Sequence, residues 1–173
     1  HKKGVKGAEI TACNTDKQHL DFTRSDSKIL IGRELTRGLG CGGFPNIGAE
    51  AAQESIQEIK NIIKGTDMAF ICAGMGGGTG TGGAPIVAQV ARDTGAIVIG
   101  TVTMPFKIER ARVDKAEFGL QQLRASTDTV VVIDNNRLVK IAGNLPVKQA
   151  FAVANELIST MIKGIVRQLL CLV

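Results

Sequence analysis

The chain has 173 residues, a net charge of +5 and 44% hydrophobic residues, enough for one folded domain and too apolar for intrinsic disorder. Its 21 glycines show no G-X-Y period, which excludes collagen, and only 3% of its residues are aromatic. Single-stranded nucleic acids stack on aromatic rings, and the Lys and Arg residues are scattered along the chain. We therefore expect a solvated basic surface and no nucleic-acid partner.

The four cysteines, Cys13, Cys41, Cys72 and Cys171, form no C-x-x-C pair, and the two histidines lie near the start of the chain. This spacing predicts no metal site. Cys13 and Cys72 stand in apolar runs, so we expect both to be small core residues. Reduced cysteines without a signal-peptide pattern predict a cytoplasmic protein.

Short runs rich in β-branched residues predict five strands, at residues 9–14, 28–31, 68–73, 96–102 and 129–133. The last three runs are almost continuously apolar, which is typical of strands buried on both faces. Apolar residues at helical spacing predict helices between them, at residues 46–64, 84–92 and 115–124. The alternation predicts an α/β fold with a Rossmann-like, doubly wound parallel sheet.

Residues 68–91 carry no charge, and that length could cross a bilayer. Glycines and Pro85 interrupt the window, however, so a strand, a loop and a helix explain it better and we expect no membrane insertion. Residues 147–173 follow Pro146 and predict one long helix that is apolar over a wide face. We expect two regions, a domain at 1–146 and this helix at 147–173 leading to a second domain.

Two glycine clusters follow predicted strands. The downstream glycine loop, residues 74–83, reads GMGGGTGTGG, and the upstream glycine loop, residues 38–43, reads GLGCGG. Glycine lets the backbone approach a ligand, and N–H groups at a helix start favour anions, so the two loops together predict a polyphosphate held from both sides. Neither loop has the Lys of a P-loop. Both match G-x-G-x-x-G, but no acidic residue follows the next strand, so an NAD-type oxidoreductase is a remote alternative.

Polar residues follow three predicted strands: Asn14, Glu109 and Asn135. Open α/β sheets bind ligands at this edge, where Asn can pair with a base and Glu can accept from ribose hydroxyls. Phe151 and Asn155 share one face of the last helix, and Phe151 either stacks on a purine or belongs to the core. No Ser-His-Asp or Cys-His set is present in the sequence.

The downstream glycine loop with Ala84-Pro85 closely resembles the signature loop of the tubulin/FtsZ family, and the likeness covers about residues 7–167. Further matching segments occur in the family's order: Asn14-Thr15-Asp16, Thr36-Arg37-Gly38-Leu39-Gly40, Thr103-Met104-Pro105-Phe106, Asp134-Asn135-Asn136-Arg137-Leu138 and Asn144-Leu145-Pro146. The sequence looks closest to archaeal FtsZ members.

The resemblance implies a GTP-binding domain at 1–146 whose first strand and first phosphate loop precede this chain, and a central helix at 147–173. It implies GTP or GDP as ligand, with Mg²⁺ bound through the phosphates. The implied phosphate contacts are Gly40, Cys41, Gly42, Gly43, Gly76, Gly77, Gly78, Thr79, Gly80 and Thr81. The implied ribose contacts are Pro105, Glu109 and Arg112, and the implied guanine contacts are Asn14, Asn135, Phe151 and Asn155.

The resemblance also implies a cytoplasmic cell-division GTPase at the division site, which polymerises head to tail and contacts other division proteins. An acidic loop beyond the central helix would complete hydrolysis at the subunit interface, so we expect no catalytic residue in these 173 residues and no activity from them alone. A non-catalytic fragment that binds or caps FtsZ polymers is the alternative. Only two residues separate Glu109 from Arg112, where the family usually has three, so either Arg110 or Arg112 could face the nucleotide.

Overall fold

The computed structural model describes residues 8–137, 156 and 158–164. The strands are β1 (Thr11–Asn14), β2 (Ser27–Leu30), β3 (Met68–Gly74), β4 (Ile97–Met104) and β5 (Thr129–Asp134). The helices are α1 (Lys17–Phe22), α2 (Arg33–Thr36), α3 (Pro45–Glu54), α4 (Ile56–Ile63), α5 (Ala84–Asp93) and α6 (Ala111–Ser126). A π-helical turn (Thr79–Gly83) precedes α5, and a 3-10 turn (Lys107–Glu109) precedes α6.

All paired strands run parallel, in a two-stranded sheet β1-β2 and a three-stranded sheet β3-β4-β5. Gly74 pairs with Thr103, which pairs with Ile133, so the carboxyl ends of β3, β4 and β5 are level. This α/β architecture is the predicted one. Residues of β1 and β3 together line a cavity of about 320 Å³ between the two sheets.

Two apolar clusters attach the helices to the sheets. In one, Ala88 and Ala91 of α5 and Leu123 of α6 pack with Val98 and Val102 of β4. In the other, strand residue Ile29 and its neighbour Ile31 pack with helix residues Ala51, Ala52 and Ile59. Small residues on α3 and α5 let these helices pack closely against the sheets. This packing holds the loops between strands and helices in place.

The strands lie where the sequence predicts them, but the single helix predicted at 46–64 is wrong. The backbone leaves helical geometry at Ser55 (φ −95°, ψ 16°), which separates α3 from α4. The Ser55 hydroxyl oxygen accepts the N–H of Gly32 at 3.0 Å, so this break serves as an anchor for the start of α2.

The expectation that Cys13 and Cys72 are core residues is also wrong. Both side chains line the cavity and are exposed, because no strand of the described residues pairs with the facing edges of β1 and β3. The surrounding protein still desolvates the thiols: burial raises the pKa of Cys72, and burial together with the nearby charge of Glu58 raises the pKa of Cys13 to about 11. Of the three later strands, β4 alone has a mainly buried run.

The uncharged window at 68–91 forms β3, the π-helical turn and most of α5, as predicted. Within the part of the chain that the structure describes, no helix is long and apolar enough to span a bilayer. Residues 156 and 158–164 are helical, and the rest of the helix predicted at 147–173 lies outside the described residues.

Candidate nucleotide site

The two glycine loops meet at a buried polar contact at the end of β1. Thr15 is fully buried, and its hydroxyl lies 2.7 Å from the Thr79 hydroxyl and 3.2 Å from the Cys41 thiol. The thiol and the Thr79 hydroxyl are 3.6 Å apart. One residue from each loop therefore bonds to the same side chain, and the structure brings together the two loops that the sequence predicts as one site.

The downstream glycine loop is held by close backbone packing. The Gly76 N–H donates to the buried Thr81 hydroxyl at 2.8 Å. A Cβ on Gly78 would lie 2.5 Å from the Cβ of Cys41, and one on Gly82 would collide with the Pro45 carbonyl oxygen of α3. These glycines are needed because neighbouring backbone occupies the space of a side chain.

The upstream glycine loop is held mainly by its own conformation. Gly42 and Gly43 have φ of 57° and 79°, in the left-handed region that favours glycine, and a Cβ on Gly43 would meet nothing within 4 Å. The Gly40 N–H donates to the Thr15 carbonyl at 3.1 Å. From α6, the Lys115 ammonium donates to the Gly43 carbonyl at 2.8 Å and lies 5.4 Å from the Phe44 ring centre.

Both loops contain backbone N–H groups that have no acceptor among the described residues. The N–H groups of Gly42, Gly43, Gly77 and Gly78 donate to no other described residue. Unused N–H groups beside a helix start are the donors that phosphate oxygens accept. The two loops thus fit the polyphosphate that the sequence predicts.

Arg112 is the arginine that faces the downstream loop. Its guanidinium donates to the Gly76 carbonyl at 3.4 Å and to the Glu109 carboxylate at 2.8 Å. The other Glu109 oxygen accepts the Phe106 N–H at 2.9 Å. Pro105 is buried beside Gly76, with its Cγ 3.3 Å from where a Gly76 Cβ would be. The predicted ribose set, Pro105, Glu109 and Arg112, is therefore a connected group beside the downstream loop.

The side-chain oxygen of Asn135, at the end of β5, is a hydrogen-bond acceptor without a partner among the described residues. The residue is 7% exposed, and this Oδ1 atom is buried. Such an acceptor is costly unless a donor reaches it, and a guanine N–H is one that could. Asn14, also predicted to contact guanine, ends β1 in the other sheet, and its Oδ1 accepts the Asp16 N–H at 3.1 Å.

The turn after β5 is ordered by Asp134. Burial disfavours the Asp134 carboxylate, but hydrogen bonds from Asn136 and the positive charges of Arg137 and Lys107 outweigh it, so the pKa of Asp134 is lowered. Asn136 also accepts the Lys107 N–H at 3.1 Å, which ties this turn to the one before α6.

Phe151 and Asn155, the other two predicted guanine contacts, lie outside the described residues. Within the described residues, no group of three His, Cys, Asp or Glu side chains could hold a metal ion. Sequence reasoning missed Thr15 as the residue joining the loops and Lys115 as a loop contact. Thr15 stands in a segment that resembles the family, which was a usable signal, whereas Lys115 had none.

Comparison with known proteins shows the family of the chain. The family described as "Tubulin/FtsZ family, GTPase domain" matches residues 2–143. The chain is 55% identical over 162 residues to Cell division protein FtsZ 2 of Methanocaldococcus jannaschii, covering 94% of this chain and 43% of that protein. It is 51% identical to Cell division protein FtsZ 2 of Haloferax volcanii, covering 94% of this chain and 40% of that protein.

A solved structure titled "FtsZ dimer, empty (M. jannaschii)" superposes with a TM-score of 0.90 at 51% identity, covering 95% of this chain and 48% of that one. The chain thus spans less than half the length of these relatives. The family match covers most of the chain and includes both glycine loops, so the chain belongs to the tubulin/FtsZ family of GTPases.

Proposed function

We propose that this chain binds GTP and GDP at the edge where its two glycine loops meet, as part of a cell-division GTPase. The observation that carries the proposal is the junction at Thr15, which holds together two loops with unused backbone N–H groups. The phosphates would lie against both loops, with the ribose near Glu109 and Arg112 and the guanine near Asn135. Mg²⁺ would bind through phosphate oxygens, for which it has a strong preference.

A nucleotide panel on the full-length protein tests this binding. We expect saturable binding of GTP and GDP by calorimetry, and at least about tenfold weaker binding of ATP and NAD. Asn135→Ala should reduce GTP affinity about tenfold, because a buried acceptor is lost. Asn61→Ala on the exposed surface of α4 is the control and should leave affinity unchanged. Equal binding of ATP and GTP would refute the assignment of guanine to this site.

We further propose that copies of the full-length protein associate head to tail and hydrolyse GTP where they meet, in the cytoplasm at the division site with other division proteins. Beside the site, Leu39 is 84% exposed and Phe44 is 55% exposed, an apolar rim that a second copy could cover. In the resemblance, an acidic loop of the neighbouring copy positions the attacking water. Hydrolysis would then depend on protein concentration.

Light scattering and phosphate release test the association together. Leu39→Lys should reduce GTP-dependent scattering and the GTPase rate in parallel, and by more than any change in GTP affinity that follows from its place in the upstream loop. Phe22→Lys, on α1 and 87% exposed, is the matched control. A GTPase rate per molecule that is independent of concentration would contradict hydrolysis at an interface.

A further inference from the structure

Lys115 is a residue of α6 that contacts the upstream glycine loop, and no role is yet assigned to it. Its ammonium reaches across 72 residues of sequence to donate to the Gly43 carbonyl at 2.8 Å. The contact is partly buried, and the ammonium is also within cation–π range of the Phe44 ring. Two separate contacts therefore fix this flexible side chain against the upstream loop.

The neighbouring residues of α6 face the other loop. Arg112, one turn earlier, donates to the Gly76 carbonyl, and Gly119, one turn later, packs against Thr81. Residues three or four apart lie on one face of a helix, so this face of α6 contacts both glycine loops. Arg112 bonds the downstream loop. Among the described residues on this face of α6, Lys115 is the one that bonds the upstream loop.

The far end of the upstream loop is a turn in which the Phe44 N–H donates to the Cys41 carbonyl at 3.0 Å. A Cβ on Gly43 would meet no atom within 4 Å, so neighbouring atoms do not force the left-handed backbone of this residue. The Gly42 and Gly43 N–H groups are without described partners, and they belong to the two peptides just before the one that joins Gly43 to Phe44. The Lys115 bond fixes the carbonyl of that peptide.

We propose that Lys115 is a positioning residue for the phosphate site: it sets the orientation of the upstream glycine loop through the Gly43 carbonyl and adds a positive charge beside the bound phosphates. This inference rests on the proposed binding of GTP. An ammonium is strongly attracted to phosphate oxygens, and a charge-assisted hydrogen bond fixes a loop more firmly than a neutral one. Lys115 should therefore affect the phosphate part of the ligand and not the base.

The test compares GTP with guanosine on the full-length protein, by competition against a fluorescent GTP analogue. Lys115→Met keeps the aliphatic stem and removes the charge, and should weaken GTP binding about tenfold while changing guanosine binding less than about twofold. Lys115→Arg, which keeps a cation, should remain within about threefold of the unmodified protein. Arg124→Met, an exposed position on the same helix, controls for the loss of one positive charge.

Hydrogen exchange at the Phe44 amide, which donates to the Cys41 carbonyl, supplies a readout that does not need the nucleotide. Exchange there should be faster in Lys115→Met than in Arg124→Met. Unchanged GTP affinity and exchange in Lys115→Met, or an equal loss for GTP and guanosine, would overturn the role of Lys115. If the unmodified protein binds no GTP, the proposed function fails and this inference with it. Faster loop exchange would then show only a structural contact.

Discussion

The two glycine loops use the same residue for different physical reasons. In the upstream loop, glycine permits a left-handed backbone, and Gly43 has open space around it. In the downstream loop, Gly78 and Gly82 have ordinary right-handed backbone angles, and glycine is needed because other backbone atoms fill the side-chain space. Apart from Gly76 of the downstream loop, whose φ is 98°, glycine serves conformation in the upstream loop and packing in the downstream loop, so substitutions should separate the two.

The largest expected effect is on packing in the downstream loop. Gly82→Ala would drive a methyl group into the Pro45 carbonyl and the Ala49 N–H region of α3, and backbone cannot move aside cheaply. We expect a loss of about 3 kcal/mol or more in the free energy of unfolding, measured by chemical denaturation. Gly77→Ala in the same loop would meet only an Arg112 nitrogen at 3.9 Å and is the control. Equal stability of the two variants would contradict the packing explanation.

The next effect is on the junction that joins the two loops. Thr15→Val keeps the shape and removes the hydroxyl that contacts both Thr79 and Cys41. We expect a loss of about 1–3 kcal/mol, because the buried Cys41 thiol and the partly buried Thr79 hydroxyl both lose a partner. Thr129→Val, at an exposed position of β5, should change stability by less than about 0.5 kcal/mol. A Thr15→Val protein as stable as the control would mean that the loops are held by other contacts.

A smaller effect is expected for conformation in the upstream loop. Gly43→Ala and Gly95→Ala both place a methyl group on a left-handed backbone with open space, at φ of 79° and 88°. Each should cost about 1 kcal/mol of stability. Gly95 lies just after α5, away from the site, so GTP affinity should fall only in Gly43→Ala. Identical affinities in these two variants would remove the upstream loop from the site.

The smallest effect at neutral pH comes from the strands that support both loops. Cys13 lies two residues before Thr15, and Cys72 two residues before Gly74. The pKa of the Cys13 thiol is 9.0 in the unfolded chain and is raised to about 11 in the native protein. The native protein therefore holds the thiol proton more tightly than the unfolded chain does. The thiol's contribution to stability is thus complete below pH 9 and is lost as pH rises toward about 11.

Denaturant unfolding at a series of pH values between 8 and 11 measures this contribution. As pH rises, the free energy of unfolding of the unmodified protein should fall relative to that of Cys13→Ala. Cys72→Ala tests the other supporting strand in the same way. A difference that stays constant with pH would show that the Cys13 thiol is not protected in the native state.

The sequence predicted the strands well because their apolar runs are short, strongly β-branched and bounded by turn residues. It also located both loops, since seven glycines between a strand and a helix are a local signal. It could not predict the break at Ser55, which depends on the N–H of Gly32, a residue 23 positions away. The position of Lys115 was hidden for the same reason, because its partner lies 72 residues earlier.

The cysteines show the opposite failure, in which a local pattern misled. Apolar neighbours indicated a core position for Cys13 and Cys72, but burial in a sheet depends on whether a strand is flanked on both sides. Single glycines inside helices were equally uninformative. Gly48 and Gly119 are required by contacts with the downstream loop, and a lone glycine in a helix reveals no partner.

The close packing of the downstream loop has a thermodynamic consequence for any ligand. Ordering a glycine backbone costs more conformational entropy than ordering any other residue, about 1–2 kcal/mol for each position. Here the contacts with α3, Cys41 and α6 order the loop in the protein itself. The entropic cost of its seven glycines therefore falls on folding and not on binding. A nucleotide that enters the site meets donors already in place, and association retains more of its favourable interaction energy.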